Sequence, residues 1–473
     1  IRSMMEIVLP SPLSESGSPK LAEQTKARFE IPTELNLSLV FNLMVSFKLR
    51  TRQLVKMLLR FGRSPKHVSA LGLLLVTIVI LFYSTNVQAD SESPTLVQVQ
   101  MIYRHGDRTP ERLYPNDPNK DWSKWPAGPG QLIDEGKRRH YQLGQYMRER
   151  YKYFLGEKFN PQEIYVRSTD FDRTIMSALS HLSGLYLPAE NSSWNPQINW
   201  QPIPVHTREL KTDFLNTGSE CELAEKVGAK VMSSSETRSL LRQHDSLLNN
   251  LSKQSGWVLD SVKMVNRLND ALFIESRLNM EVPGWAKSIE PLSPIVEYYF
   301  GAYCLDPLLR RLRGGPILQM MIDTFEARRA QQSSLKMLML SAHDTTLSAL
   351  MCTLGVYNWK QPPYASVLIL EYYTTGNSNY FVRFFYKNDT TTEPYLLEIP
   401  GCDNPCSFKL FKHVMADFVP NDWETECVDG GNIIKLLLTG LLAMLTLAMI
   451  ITLILKFIGR RVKRKRYVSL NDL

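Results

Sequence analysis

Leu96-Val-Gln-Val-Gln-Met-Ile-Tyr103 runs directly into Arg104-His-Gly-Asp-Arg-Thr-Pro110. The first half reads as a β-strand, and the second places a histidine between two arginines at the strand's C-terminal end, where open α/β sheets assemble ligand sites. An imidazole that attacks phosphorus must present a neutral nitrogen while the anionic oxygens are clamped and their charge is neutralised. Arginine suits the clamp because its rigid fork engages two oxygens at once. Arg104 and Arg108 flank His105, and Gly106 lets the backbone turn where a side chain would crowd an incoming ester.

Two further segments repeat this grammar. Glu163-Ile-Tyr-Val166 reads as a short strand leading into Arg167-Ser-Thr-Asp-Phe-Asp-Arg173 and a helical Thr174-Ile-Met-Ser-Ala-Leu-Ser-His-Leu182. Leu335-Lys-Met-Leu-Met-Leu340 leads into Ser341-Ala-His-Asp-Thr-Thr346 and the apolar helical Leu347-Ser-Ala-Leu-Met-Cys352. Three strand-to-helix switches therefore deliver charged residues to strand ends, which predicts an α/β fold with one composite site. Asp170 and Asp172 read as caps of the next helix or partners of Arg173. His206 reads as a structural histidine, and His140 and His181, in helical stretches, as core or surface residues. No metal site is expected: the chain has no HxH or HExxH, and the CxxxC at Cys402 and Cys406 lacks a second ligand pair.

The RHGxRxP run at Arg104, the RSTDxDRT run at Arg167 and the SAHDTT run at Ser341 together resemble the histidine acid phosphatases of the animal lysosomal and prostatic type. The likeness spans about residues 95–428 and includes Trp200-Gln-Pro-Ile-Pro-Val-His-Thr207, Gln361-Pro-Pro-Tyr-Ala-Ser366 and Trp423-Glu-Thr-Glu-Cys427. It implies a histidine-phosphatase-like α/β sandwich with an inserted, mainly helical cap at about 205–330, often a homodimer. It also implies hydrolysis of phosphomonoesters without a cofactor. His105 would form a phosphohistidine, Arg104, Arg108, Arg167 and His343 would hold the phosphoryl oxygens, and Asp344 would protonate the leaving oxygen. A donor carboxyl must carry its proton at the working pH, which suits an acidic compartment or a pKa raised by burial. The alternatives are a phytase-like or lysophosphatidic-acid-selective member of the fold, or a catalytically idle membrane receptor or scaffold; the complete residue set argues against the last.

The same resemblance implies bridges Cys221–Cys427 and Cys402–Cys406. Where the vertebrate proteins carry another bridge this chain has Ile274 and Val367. Cys304 and Cys352 remain, either as a bridge of their own or as buried thiols.

The net charge of +8 is concentrated at the ends of the chain. Residues 90–432 hold 36 basic against 41 acidic side chains, so nucleic-acid binding is not suggested. Residues 436–455 are uncharged, about 30 Å of helix and so matched to a bilayer core. Lys456, Arg460, Arg461, Lys463, Arg464, Lys465 and Arg466 follow, which the positive-inside rule assigns to the cytosol. Residues 433–458 are thus predicted to span a membrane and 459–473 to form a cytosolic tail. Tyr467-Val-Ser-Leu470 in that tail resembles adaptor-read sorting signals through Tyr467 and Leu470. The apolar segment 71–83, preceded by Arg60, Arg63 and Lys66 and followed by small residues at 87–89, reads as a signal peptide over 57–89. Residue 1 is Ile and Met57 would start a signal peptide of ordinary length, so residues 1–56 are expected to be a mispredicted or untranslated extension. The result is a type I membrane protein of the lysosome or plasma membrane, with 90–432 on the lumenal side. All six cysteines fall in that oxidising body. So do the sequons at Asn191, Asn250 and Asn388, which are expected to carry glycan; Asn36, ahead of the signal, is not.

Overall fold

The computed structural model describes residues 93–188, 194–376, 379–389, 391–428 and 430–470. The predicted extension 1–56, the signal peptide 57–89, Asn36 and the sequon Asn191 lie outside the described residues.

The strand that leads into His105 stands inside a mixed sheet. Strand β1 (Thr95–Arg104) lies between β3 (Met337–Ala342) and β4 (Val367–Thr374), β2 (Ile164–Ser168) forms the edge beyond β3, and β5 (Tyr380–Lys387) and β6 (Tyr395–Leu397) continue past β4, with β7 (Cys406–Ser407) also on β5. β1, β2 and β3 are parallel; β4 to β7 pair antiparallel. Arg104 is in register with Ala342, and Ser168 with Ser341. The three motif-bearing strands therefore end at one level, and residues 105, 169 and 343 emerge side by side.

Alternation along the strands sorts the core into two layers. Val99, Met101 and Tyr103 of β1 and Ile164 and Val166 of β2 pack against α1 (Asp134–Arg150) and α2 (Asp172–Leu185). The chain then leaves the sheet through α3 (Glu222–Met232), α4 (Ser235–Gln243), α5 (Asp245–Ser255), α6 (Val262–Arg277) and α7 (Ser293–Gly301). It returns as α8 (Gly315–Arg329), α9 (Asp344–Leu354) and α10 (Phe408–Met415), whose apolar faces meet Ile102, Leu340, Leu368 and Tyr372 on the second face.

Within the expected cap, 205–330, some residues pack in a cluster apart from the sheet and others in the sheet core. The separate apolar cluster, built on Leu248, Leu251, Val265, Leu268 and Ile295, comes from α5, α6 and α7. At one boundary His206 already bridges to β2, and at the other Ile317, Leu318, Met321 and Phe325 of α8 are buried in the sheet core. The Gly314-Gly-Pro316 run is part of a continuous helical path. Residues Arg310–Gly314 form a π-helical turn into α8, and a Cβ on Gly314 would collide with Thr353 Oγ1 and the Ala349 carbonyl of α9.

Cys221 is bonded to Cys427, Cys402 to Cys406, and the two remaining cysteines, Cys304 and Cys352, to each other. Ile274 and Val367 are both buried. Helix α11 (Gly430–Leu470) contains one apolar stretch long enough to cross a membrane, Leu437–Arg461. The helix does not stop at 458, so the expected tail is helical through Tyr467 and Leu470.

Candidate active site

Each strand end contributes one part of the site. His105 follows β1 and is buried; its Nδ1–H donates to the Gly106 carbonyl at 2.8 Å. A carbonyl can only accept, so this bond sets the tautomer and leaves Nε2 with its lone pair. The tight loop rests on two glycines. A Cβ on Gly106 would lie 2.5 Å from the Gly136 carbonyl oxygen, and one on Gly136 would strike the Asp107 backbone in turn. The crowding that excludes a side chain at 106 is therefore with the first turn of α1, not with an incoming ester.

His343 is the N-cap residue of α9 and its Nε2 meets Thr169 Oγ1 at 2.9 Å, which ties the third strand end to the second. The His105 and His343 rings lie 5.6 Å apart, nearly edge to face. Asp344, in the first turn of α9, has its Oδ2 2.8 Å from Arg104 Nη2 and accepts from Gln361 Nε2 at 3.1 Å. Arg104 also donates to the Pro362 carbonyl at 2.7 Å and lies 4.0 Å over the Tyr364 ring. Arg108 is held in a two-pronged pair with Asp270 of the cap, at 3.0 and 3.1 Å.

Arg167 is not brought into this group. On β2 the Val166 side chain faces α1 and α2, so Arg167, one residue on, faces the opposite layer. There it pairs with Asp213 and lies 4.8 Å over the Phe214 ring. The guanidinium that reaches the histidines is Arg173, in the first turn of α2, which acts electrostatically on both His105 and His343. Arg173 pairs with the more exposed Glu111, not with Asp170 or Asp172. Asp172 accepts from Gln131, Asp170 is exposed, and the N-cap of α2 is Phe171, so neither aspartate caps that helix with its side chain. Sequence reasoning passed over Arg173 because it lies five residues past the strand end at Ser168; the available signal was that strand parity turns residue 167 away. His206 is stacked on Tyr165 at 4.9 Å, while His140 and His181 are buried around Tyr103.

The electrostatics follow from burial among cations. Burial, then Arg173, Arg104, Arg108 and His343, hold the His105 imidazole well below its ordinary 6.5, so it stays neutral in acid. His343 is lowered to about 3 by burial and then Arg173. For Asp344, burial pushes the carboxyl up, but Arg104, Arg108, Gln361 and His343 outweigh it and the net direction is down. Of the two alternatives for keeping the donor protonated, a pKa raised by burial is therefore not the one found in the free enzyme. A cavity of about 660 Å³ beside Arg167, Phe214 and Trp423 contains neither histidine. Two of about 380 Å³ open instead on Arg108 and on Arg104, sharing Arg277 and Tyr364.

The family model of the histidine phosphatase superfamily (branch 2) matches residues 95–387. The chain belongs to that superfamily. Its relatives include rat prostatic acid phosphatase, 38% identical over 71% of this chain and 89% of that protein. Rat lysosomal acid phosphatase is 36% identical over 76% of this chain and 88% of the other. Among solved structures, the phytase of Citrobacter braakii superposes with a TM-score of 0.52 at 17% identity, covering 72% of this chain and all of that one. The Hafnia alvei phytase bound to tartrate gives 0.53 at 16%, covering 72% and 99%. These phytases share the fold. Like its relatives, this histidine phosphatase is an acid phosphatase.

The exchange of Arg167 for Arg173 is directly testable. Arg173→Ala should lower kcat/KM by about 10²- to 10³-fold, the loss expected when one donor to developing phosphoryl charge is removed. Arg167→Ala should cost mainly thermal stability, because it leaves Asp213 buried without its cation. Steady-state kinetics beside a melting curve for both variants would distinguish the two roles.

Proposed function

We propose that this acid phosphatase hydrolyses phosphomonoesters through a phosphohistidine on His105, with Arg104, Arg108 and Arg173 holding the phosphoryl oxygens beside His343. The observation that carries the reading is the Nδ1 bond to Gly106, which leaves a neutral Nε2 lone pair amid three guanidiniums. In the first step that lone pair forms the N–P bond as the P–O bond to the alcohol breaks, and Asp344 supplies the proton to the departing oxygen. In the second, water attacks phosphorus, Asp344 takes a water proton, and the N–P bond electrons return to Nε2. Asp344 is a carboxylate when Arg104 pairs with it. A phosphate dianion on Arg104 and Arg108 competes for those cations and adds negative charge nearby, so binding raises the Asp344 pKa and loads the proton where it is needed.

The setting we propose is the lysosomal membrane, with the catalytic body lumenal, α11 as the anchor and Tyr467 and Leu470 as an adaptor signal. Lysosomal relatives and the apolar stretch Leu437–Arg461 support it. A homodimer is supported by exposed apolar side chains on and beyond edge strand β2: Tyr165, Leu187, Trp194, Ile198 and Trp200. Asn250 is exposed on α5 and Asn388 is half-buried at the end of β5, and both are proposed to carry glycan. Full-length protein assayed at pH 4–8 on aryl, sugar, nucleotide, lysolipid and inositol phosphates should hydrolyse several of them best in acid. No hydrolysis of any would favour the idle receptor, and a strong inositol phosphate preference the phytase-like reading.

A further inference from the structure

One cap helix, α6, touches the loop after β1 at three successive places. Asp270 takes Arg108 in the two-pronged pair, and Arg277 donates to Asp107 Oδ1 at 2.8 Å. Between them Glu275 accepts from Tyr114 Oη at 3.3 Å. Asp107 is anchored from the sheet side by Arg139 of α1 at 2.7 Å, so the loop is clamped between α1 and the cap.

Arg108 has five N–H donors. Asp270 takes one from Nη1 and one from Nη2, and the Thr109 carbonyl takes the second on Nη1 at 3.1 Å. Nε is buried without a partner, so an edge comprising Nε and the remaining Nη2 hydrogen is left for an anion. Asp270 thus orients the guanidinium without using it up.

The contact at Glu275 has a different character. Glu275 and Asp117 are both nearly fully buried, the Asp117 carboxyl acts directly on that of Glu275, and the oxygens left without a donor are Glu275 Oε1 and Asp117 Oδ2. Two acceptors facing each other are satisfied together only by a proton between them. The groups around the pair are Tyr114 and Asn119 of the loop, with Lys124 acting on Asp117; Asp117 Oδ1 already accepts from the Asn119 backbone at 2.6 Å.

We propose that α6 is an acid-held clamp: Asp270 positions Arg108 for phosphate, and a proton shared by Glu275 and Asp117 keeps the helix seated on the loop. The first half rests on the reading of Arg108 as a phosphate ligand. The pKa of Glu275 supports the second half, since burial and then Asp117 raise it from 4.5 to about 8. A raised folded pKa means stability that is full below pH 4.5 and is lost as pH rises through about 8. The clamp is therefore closed in an acidic compartment and weakens in alkali.

The test uses the full-length protein in detergent micelles. Asp270→Asn should raise the inhibition constant of inorganic phosphate and KM about 10-fold with a smaller change in kcat, and Asp270→Glu should recover part of the loss. Arg108→Lys is the control for the underlying reading and should lower kcat/KM about 100-fold. If Arg108→Lys is silent, the phosphate role of Arg108 is wrong. If it is severe while Asp270→Asn leaves phosphate inhibition within twofold of wild type, only the positioning role is overturned.

For the latch, hydrogen exchange across residues 262–277, corrected for intrinsic rates, should lose about 10-fold protection between pH 5.5 and 8.5 in the wild type. Glu275→Gln keeps a neutral donor to Asp117 at every pH and should hold its protection constant. Equal loss in both proteins, or none in the wild type, overturns the latch.

Discussion

Replacing His105 with alanine should reduce phosphatase activity by roughly 10⁴-fold or more, since it removes the nucleophile that forms the covalent intermediate. Acid-quenched wild type turning over a labelled aryl phosphate should retain label on the protein, and His105→Ala should retain none. Hydrolysis at wild-type rates in the variant would sink the mechanism. The pH profile carries a second, independent expectation. Because burial and the surrounding guanidiniums keep the imidazole below its ordinary 6.5, it remains deprotonated as pH falls from 7 to 5. The kcat/KM profile should therefore show no acid-side fall centred near 6.5, the fall an unperturbed histidine nucleophile would produce.

The second large effect belongs to Asp344. Asp344→Asn removes the proton donor and should slow hydrolysis of alkyl phosphates by about 10²- to 10⁴-fold, with a much smaller loss for p-nitrophenyl phosphate, whose phenoxide departs without help. A uniform loss across leaving groups would assign Asp344 to binding alone. In the free enzyme the cations outweigh burial and hold the Asp344 pKa below its ordinary value. With the dianion bound the pKa rises, so the basic limb of kcat should lie at higher pH than that of kcat/KM; the asparagine variant should flatten both.

The parts of the site that were legible in sequence are those adjacent to strand ends. His105, His343 and Asp344 follow their strands within two residues, and parallel pairing of β1, β2 and β3 at one level was enough to gather them. Arg167 misled for the same reason: it sits within its strand, where parity and not proximity decides which face a side chain joins. Arg173 is reached only through the turn at Phe171 and the start of α2. Asp270, Glu275 and Arg277 lie more than 150 residues from the loop they hold, and no local pattern ties them to it. The extent of the cap was not legible either, because only packing decides which helices join the sheet core, as α8 does through Ile317, Leu318, Met321 and Phe325.

By itself the sequence determined the reaction class, the α/β architecture and the apolar C-terminal stretch, because each is written in contiguous residues: a loop motif, a strand-to-helix switch, an uninterrupted run. The tertiary structure alone decided which arginine faces the histidines, that Cys304 and Cys352 are partners, that the Asp344 carboxyl is drawn down and not up, and that α6 sits over the loop. Those are balances between groups far apart in the chain. Burial raises a carboxyl and a guanidinium lowers it, and only the folded distances say which prevails.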